Sequence, residues 1–185
     1  MSYFGIESPT VFLPEVQPKN QSLKGLRNFL CYFIDSSKST KIFEKWKDVS
    51  LKLRSDGFNV ILLGKERIFC EPEVGINLTG LTTLEDVMYL ANKSNGVISN
   101  DSFGAHLAMG YRKPLVVFFC STSDWHNFFN SKLVLKVFPP KLACWPCSKG
   151  GRQCCPVGDF LCVKYEPDIY SIVKFLRANG VSNSE

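Results

Sequence analysis

Short apolar runs recurring along the chain constrain its fold most: FLCYFI at 29–34, NVILLG at 59–64, GVIS at 96–99 and PLVVFF at 114–119. Such runs, rich in Val, Ile and Leu, are the mark of strands covered on both faces. Amphipathic stretches lie between them. Residues 41–55 set Phe43, Trp46, Val49, Leu51 and Leu53 among Lys and Glu, and Asp56-Gly57 then stops that helix. Residues 82–94, TTLEDVMYLANKS, predict a helix capped by Thr82 or Thr83 with Leu84, Val87, Met88 and Ala91 on one face. A further helix starts near Ser102 and runs through HLAMG, and another closes the chain at 166–178. GINLTG at 75–80 and LVLKVF at 133–138 complete the strands. This alternation predicts an α/β fold, a single doubly wound parallel sheet with helices on both faces.

The 185 residues, 45% hydrophobic and 21% charged, suffice for one main core. The expected organisation is a Pro-punctuated leader over 1–28, a domain over 29–178, and a flexible tail over 179–185. No apolar run approaches the length needed to span a bilayer, and MSYFGIESPTVFLPEV lacks a basic start followed by an apolar region, so a cytoplasmic location is expected. The net charge of +5 comes from scattered Lys and Arg. It suits an anionic ligand or an acidic surface, and equally a solvated basic face. Basic and aromatic residues do not interleave as in RNA-binding modules, which argues against a nucleic-acid partner.

The stretch VISNDSFGAH (97–106) raises the functional question. In a parallel sheet, ligands sit beyond the carboxyl ends of strands, where loops lead into helices. Asp101 and Ser102 occupy such a position, and the free amides of a helix start attract phosphate or carboxylate. Either residue could instead serve only as an N-cap.

The order TGLTTLEDVMYLANKSNGVISNDSFGAHLAMGYRKPLVVFFCST (79–122) resembles the C-terminal half of glycosyltransferase family 9, the ADP-heptose:lipopolysaccharide heptosyltransferases. The family pattern runs from Leu-Thr-Gly through a helix and strand to Asp-Ser/Thr-Gly-x-x-His, a helix of small residues, a Pro-initiated strand and Phe-Gly-x-Thr. Asp101, Ser102, His106, Ala108, Pro114, Phe119 and Thr122 match it in order and spacing, and the resemblance extends over about residues 10–176. It implies a GT-B protein, in which two Rossmann-like domains face each other across a cleft, with this chain as the nucleotide-sugar-binding domain. TVFLPEVQP resembles the linker between the two, so the acceptor half is expected on a partner chain or lost by truncation. By the same resemblance, Lys41 or Lys38 contacts phosphate, Glu66 lies near the ribose, Asp101 meets the donor sugar, and Ser102, Gly104 and nearby amides receive the diphosphate. His106 either joins this set or hydrogen-bonds across the turn.

Three glycines of the pattern are altered. Phe103 follows Asp-Ser, with Gly104 one place later; the loop after the first strand is the glycine-free IDSSKST (34–40); and Phe-Gly-x-Thr is Phe119-Cys120-Ser121-Thr122. A ring at 103 crowds a position where close backbone approach to phosphate favours glycine.

Of eight cysteines, Cys31, Cys70 and Cys120 lie in or near apolar runs and are read as core residues. The others fall in CWPCSKGGRQCCPVGDFLC (144–162), a spacing suited to a tetrahedral Zn²⁺ or iron ion, because soft thiolates can converge from a knuckle and a loop. Two disulfides in an exported chain, or reduced thiols, are the alternatives. Likeness to a cysteine-bearing loop of family 9 favours Cys144, Cys147, Cys155 and Cys162 as the set and leaves Cys154 spare. Such an ion would be structural, since four protein ligands leave no open position; no organic cofactor is expected. His126 lies too far along the chain to be argued as a ligand.

Two functions follow. One is the donor-binding domain of a heptosyltransferase-like enzyme acting on lipopolysaccharide or a related glycan, at the inner face of the membrane. The other is a noncatalytic binding or interaction module that kept the fold and lost the chemistry. A different nucleotide-sugar enzyme, such as an epimerase, fits the Asp-Ser-x-x-x-His order and the cysteine loop less well.

Overall fold

The structure, a computed structural model, describes residues 13–124 and 131–181. His126 and the outermost parts of the expected leader and tail lie outside the described residues. In chain order the elements are β1 (Leu30–Phe33), α1 (Trp46–Ser55), β2 (Val60–Leu63), β3 (Ile76–Asn77), α2 (Leu84–Lys93), β4 (Gly96–Asn100), α3 (Phe103–Gly110), β5 (Leu115–Phe118), β6 (Val134–Val137) and α4 (Ile169–Ala178). The strands form one sheet in the order β3-β2-β1-β4-β5-β6, parallel throughout.

The apolar runs explain this arrangement. Along β1, Leu30 and Tyr32 face one core while Cys31 and Phe33 face the other, and β2, β4 and β5 alternate in the same way. The first core is covered by Val49 and Leu53 of α1 and Ile172, Val173 and Leu176 of α4; the second by Leu90 and Ala91 of α2 and Ala105, Leu107 and Ala108 of α3. Each buried Leu, Ile or Phe contributes about 1.5–3 kcal/mol by leaving water. Cys31 and Cys120 are buried in these cores, and burial pushes the Cys31 thiol up to about 12.

Local chemistry moves several boundaries. β3 has two residues where a longer strand is expected, because the Asn77 carboxamide accepts from the Thr79 amide (3.1 Å) and hydroxyl (2.7 Å), turning the chain out of the sheet. α1 starts at Trp46 rather than near 41, since Phe43 is drawn into the core, stacking on Phe118 at 4.3 Å, while its amide donates to Asn100 Oδ1 at 3.0 Å. Thr83 caps α2 in a reciprocal box with Asp86. The buried face of α2 is Asp86, Tyr89, Leu90 and Ala91, and Leu84 is exposed. Val87 and Met88 are half-buried against the same core as expected, and Asp86, whose carboxylate also accepts from the Asn20 amide at 2.9 Å, turns inward beside them. Within the expected leader, Gln21–Gly25 form a 3₁₀ turn and Leu23 is buried in the α2–α3 core.

Candidate functional site

The strand order reverses direction at β1, with β2 on one side and β4 on the other, so the loops leaving β1 and β4 part at their carboxyl ends. A cavity of ≈ 890 Å³ opens there. Asp35, Ser36, Ser37 and Lys41 line it after β1, Gly64, Lys65 and Glu66 after β2, Thr82 to Leu84 at the start of α2, and Ser102 and Phe103 after β4.

Lys41 ends a 3₁₀ turn, Ser39–Lys41, and its Nζ lies 3.0 Å from Asp101 Oδ2, both side chains being largely covered. The Thr122 hydroxyl donates to the same carboxylate oxygen at 2.8 Å. Asp101, Lys41 and Thr122, far apart in sequence, thus form one charged knot at the cleft. Ser102 occupies the cap position of α3, yet its side chain makes no cap hydrogen bond; its Oγ lies 3.5 Å from the Asp35 carbonyl. That leaves the first-turn amides of α3 without the side-chain cap that serine usually supplies.

Asp35 ties three loops together. Its Oδ2 accepts from the Lys65 amide at 2.5 Å, and its carbonyl accepts from the Asn100 side chain at 3.2 Å as well as facing Ser102. The glycine-free loop is therefore held by a carboxylate and a buried carboxamide. Sequence reasoning overlooked Asn100 as more than a turn residue. Period-two alternation from Ile98 aims its side chain into the α1 face, and that signal could have found it.

Lys41, Glu66 and Ser102 line the cavity, and Asp101 meets it through Lys41. Glu66 is well exposed. Gly104 lies behind the site: a Cβ there would stand 2.3 Å from Phe33 Cγ, so its small size serves the packing of α3 on β1. Phe103 projects its ring to the cleft, 51% exposed. His106, on the outer side of α3, is held below its ordinary pKa chiefly by desolvation, while Asp101 pulls it up and Lys41 pushes it down. His106 is thus within electrostatic reach of the Lys41–Asp101 pair.

The cysteine loop packs beside this cleft. Cys144, Cys147 and Cys155 are half-buried, Cys162 is buried, and Cys154 is exposed; all are free thiols. Burial pushes Cys162 up to about 11, with Cys147, Cys155 and Cys144 acting in the same direction. Cys155 is lowered, first by the Phe160 amide and then, against burial, by those of Val157 and Gly158. The Cys155 thiol also faces the Asp159 carboxylate, with Sγ 3.8 Å from Oδ1. Among the described residues, no three His, Cys, Asp or Glu side chains converge as a metal-binding group.

Solved structures share this fold. The chain is similar to ADP-heptose LPS heptosyltransferase II of E. coli, at 17% identity and a TM-score of 0.59 over 83% of this chain and 46% of that one. It is also similar to the dodecameric iron-containing heptosyltransferase TibC of enterotoxigenic E. coli, solved with ADP-D-beta-D-heptose, at 17% identity and a TM-score of 0.61 over 92% and 48%. E. coli heptosyltransferase WaaC with ADP follows at 14% identity and a TM-score of 0.52, over 83% and 44%. The chain spans about half the length of these proteins. No curated protein matches its sequence.

An all-parallel open sheet with a cleft at its switch point, matching the fold of heptosyltransferase structures, defines a Rossmann-like α/β domain like one half of those GT-B proteins. Within that class the chain belongs to glycosyltransferase family 9 (heptosyltransferase), whose family model matches residues 10–128.

Proposed function

We propose that this chain binds a nucleotide-diphosphate sugar, ADP-heptose in kind, in the cleft between β1 and β4, and presents it for transfer to lipopolysaccharide or a related glycan. The observation that carries this reading is the Lys41–Asp101 pair at the mouth of the switch-point cavity, beside the first turn of α3. Displacement of a sugar from a diphosphate needs a positive site for the leaving group and a base for the acceptor hydroxyl. Lys41, Ser102 and the α3 amides serve the first need, with Asp101 exchanging its lysine contact for sugar hydroxyls and Glu66 available to the ribose. The base and the acceptor pocket would come from a second Rossmann-like half, on a partner chain or another segment. The proposed setting is the cytoplasm, against the inner face of the membrane; among the described residues, no helix is long and apolar enough to cross one.

The cysteine loop is proposed to hold a structural Zn or Fe ion through Cys144, Cys147, Cys155 and Cys162. Supporting this are the Cys-x-x-Cys spacing followed by Cys155 and Cys162 in one loop, and the iron in the similar glycosyltransferase TibC. The ion would fix the loop and take no part in transfer.

A second reading, a noncatalytic module that retains the fold, draws on Phe103, which lines the cleft at the position where the family pattern has glycine. Calorimetric titration with ADP, ADP-heptose and UDP-sugars separates the two. Saturable ADP-heptose binding that Lys41→Ala weakens about tenfold, as expected for one lost charge-assisted contact, supports the donor site. Absence of binding to every nucleotide at millimolar ligand removes it.

A further inference from the structure

We propose that Thr40 is a positioning residue for Lys41, fixing the phosphate-contacting lysine by tying its turn to the cysteine loop. The inference rests on the donor-site reading of Lys41.

Thr40 is 1% exposed and one position from Lys41. Its hydroxyl donates to the Arg152 carbonyl at 2.8 Å and accepts from the Arg152 amide at 2.7 Å and the Ser121 hydroxyl at 2.9 Å. One donor and two acceptor sites are the whole capacity of a hydroxyl, so this buried group is fully used. Its backbone adds two bonds, with its amide donating to the Arg152 carbonyl at 3.2 Å and its carbonyl accepting from the Ser121 amide at 3.0 Å. Residue 40 is thereby fixed on two sides, by the loop after β5 and by the cysteine loop.

The same loop runs along the lysine's stem. Gly151 has φ +82°, and a Cβ there would stand 2.6 Å from both Cγ and Cδ of Lys41. The Ser39 hydroxyl donates to the Gln153 carbonyl, and the Gln153 carboxamide returns a bond to the Ser37 carbonyl at 3.1 Å. Behind them, the Cys147 and Ser148 amides donate to the Ser121 carbonyl and the Trp145 indole donates to the Cys120 carbonyl at 2.7 Å. The backbone of the cysteine segment thus holds the Ser39–Lys41 turn and packs along the Lys41 stem. A free lysine has several rotatable bonds to immobilise on binding, and a fixed turn with a walled stem lowers that loss.

The test titrates ADP and adenosine into wild type, Thr40→Val, Thr40→Ser and Gly151→Ala, with thermal melts confirming that each is folded. Valine keeps the shape of threonine but leaves the Arg152 amide and Ser121 hydroxyl without their partner; serine keeps the hydroxyl. Thr40→Val and Gly151→Ala are each expected to weaken ADP about tenfold while leaving adenosine, which has no phosphate, unchanged, and Thr40→Ser to stay within about twofold. Equal loss for ADP and adenosine would show a merely structural role and overturn the inference, as would ADP binding unaltered in Thr40→Val. Should wild type bind neither ADP nor any other nucleotide at millimolar ligand, the donor-site reading falls and takes this inference with it, whereas wild-type binding with an insensitive Thr40→Val removes the inference alone.

Discussion

Replacing Gly104 by alanine opposes two effects of known size, so the sign of the result decides between them. Residue 104 lies in the first turn of α3, and in a helix alanine is favoured over glycine by about 1 kcal/mol. Packing acts the other way. The new Cβ would stand 2.3, 2.5 and 2.8 Å from Cγ, Cδ2 and Cβ of Phe33, whereas carbon atoms at ease sit about 3.5–4.0 Å apart. Phe33 cannot retreat, being 4% exposed on a strand paired on both sides, with Leu63 of β2 and Ser99 of β4. Relief must therefore come from α3 lifting off the sheet. Overpacking of this kind costs about 1–3 kcal/mol, at the upper end or beyond when the first contact is more than about 1 Å short. The net expectation is a destabilisation of about 2 kcal/mol, a fall of about 1 M in the urea midpoint. Urea unfolding followed by circular dichroism reads it directly, and Gly104→Ala in a Phe33→Ala background should lose most of its penalty. A single variant as stable as wild type, or more stable, would refute the packing role and return Gly104 to the ligand site as a backbone-approach glycine.

Asp86 should govern the acid limb of stability. Burial pushes its carboxyl up, but the Asn20 amide and the Thr83 amide and hydroxyl outweigh this and hold it below the ordinary aspartate value. A depressed folded pKa means that its stabilisation is present above the unfolded value of 3.8 and is lost as pH falls towards the lower folded one. Asp86→Asn should therefore lose about 3 kcal/mol at pH 7, and its deficit should shrink towards pH 3; parallel curves would contradict this. At the cysteine loop, elemental analysis of protein purified without chelator should find about one Zn or Fe per chain, retained by Cys154→Ser and lost by Cys155→Ser. Metal-free wild type, or equal loss from both variants, would remove the proposed ion.

The family pattern around Asp101 was legible because it is local: strand, carboxylate, hydroxyl and helix lie within ten residues. The charged knot was less so. Lys41, Asp101 and Thr122 each stood out in the sequence, but that they share one carboxylate oxygen is a matter of where three loops end. Gly104 shows the opposite case, in which a residue inside the motif is claimed by the neighbouring strand. Thr40 carried no signal at all, since a buried hydroxyl and an exposed one look alike until their neighbours are known.

The sequence by itself determined the layers. Apolar runs without a polar face require cover on both sides, and amphipathic segments between them supply it, so a doubly wound parallel sheet follows from hydrophobic patterning and period alone. Only the tertiary structure decided which polar groups meet. Hydrogen bonds and ion pairs act over about 3 Å, whereas Lys41 lies tens of residues from Asp101 along the chain, as Arg152 does from Thr40 and Asn20 from Asp86. Their encounter depends on strand order, on the placement of α2 and on the course of the cysteine loop, none of which hydrophobic periodicity specifies.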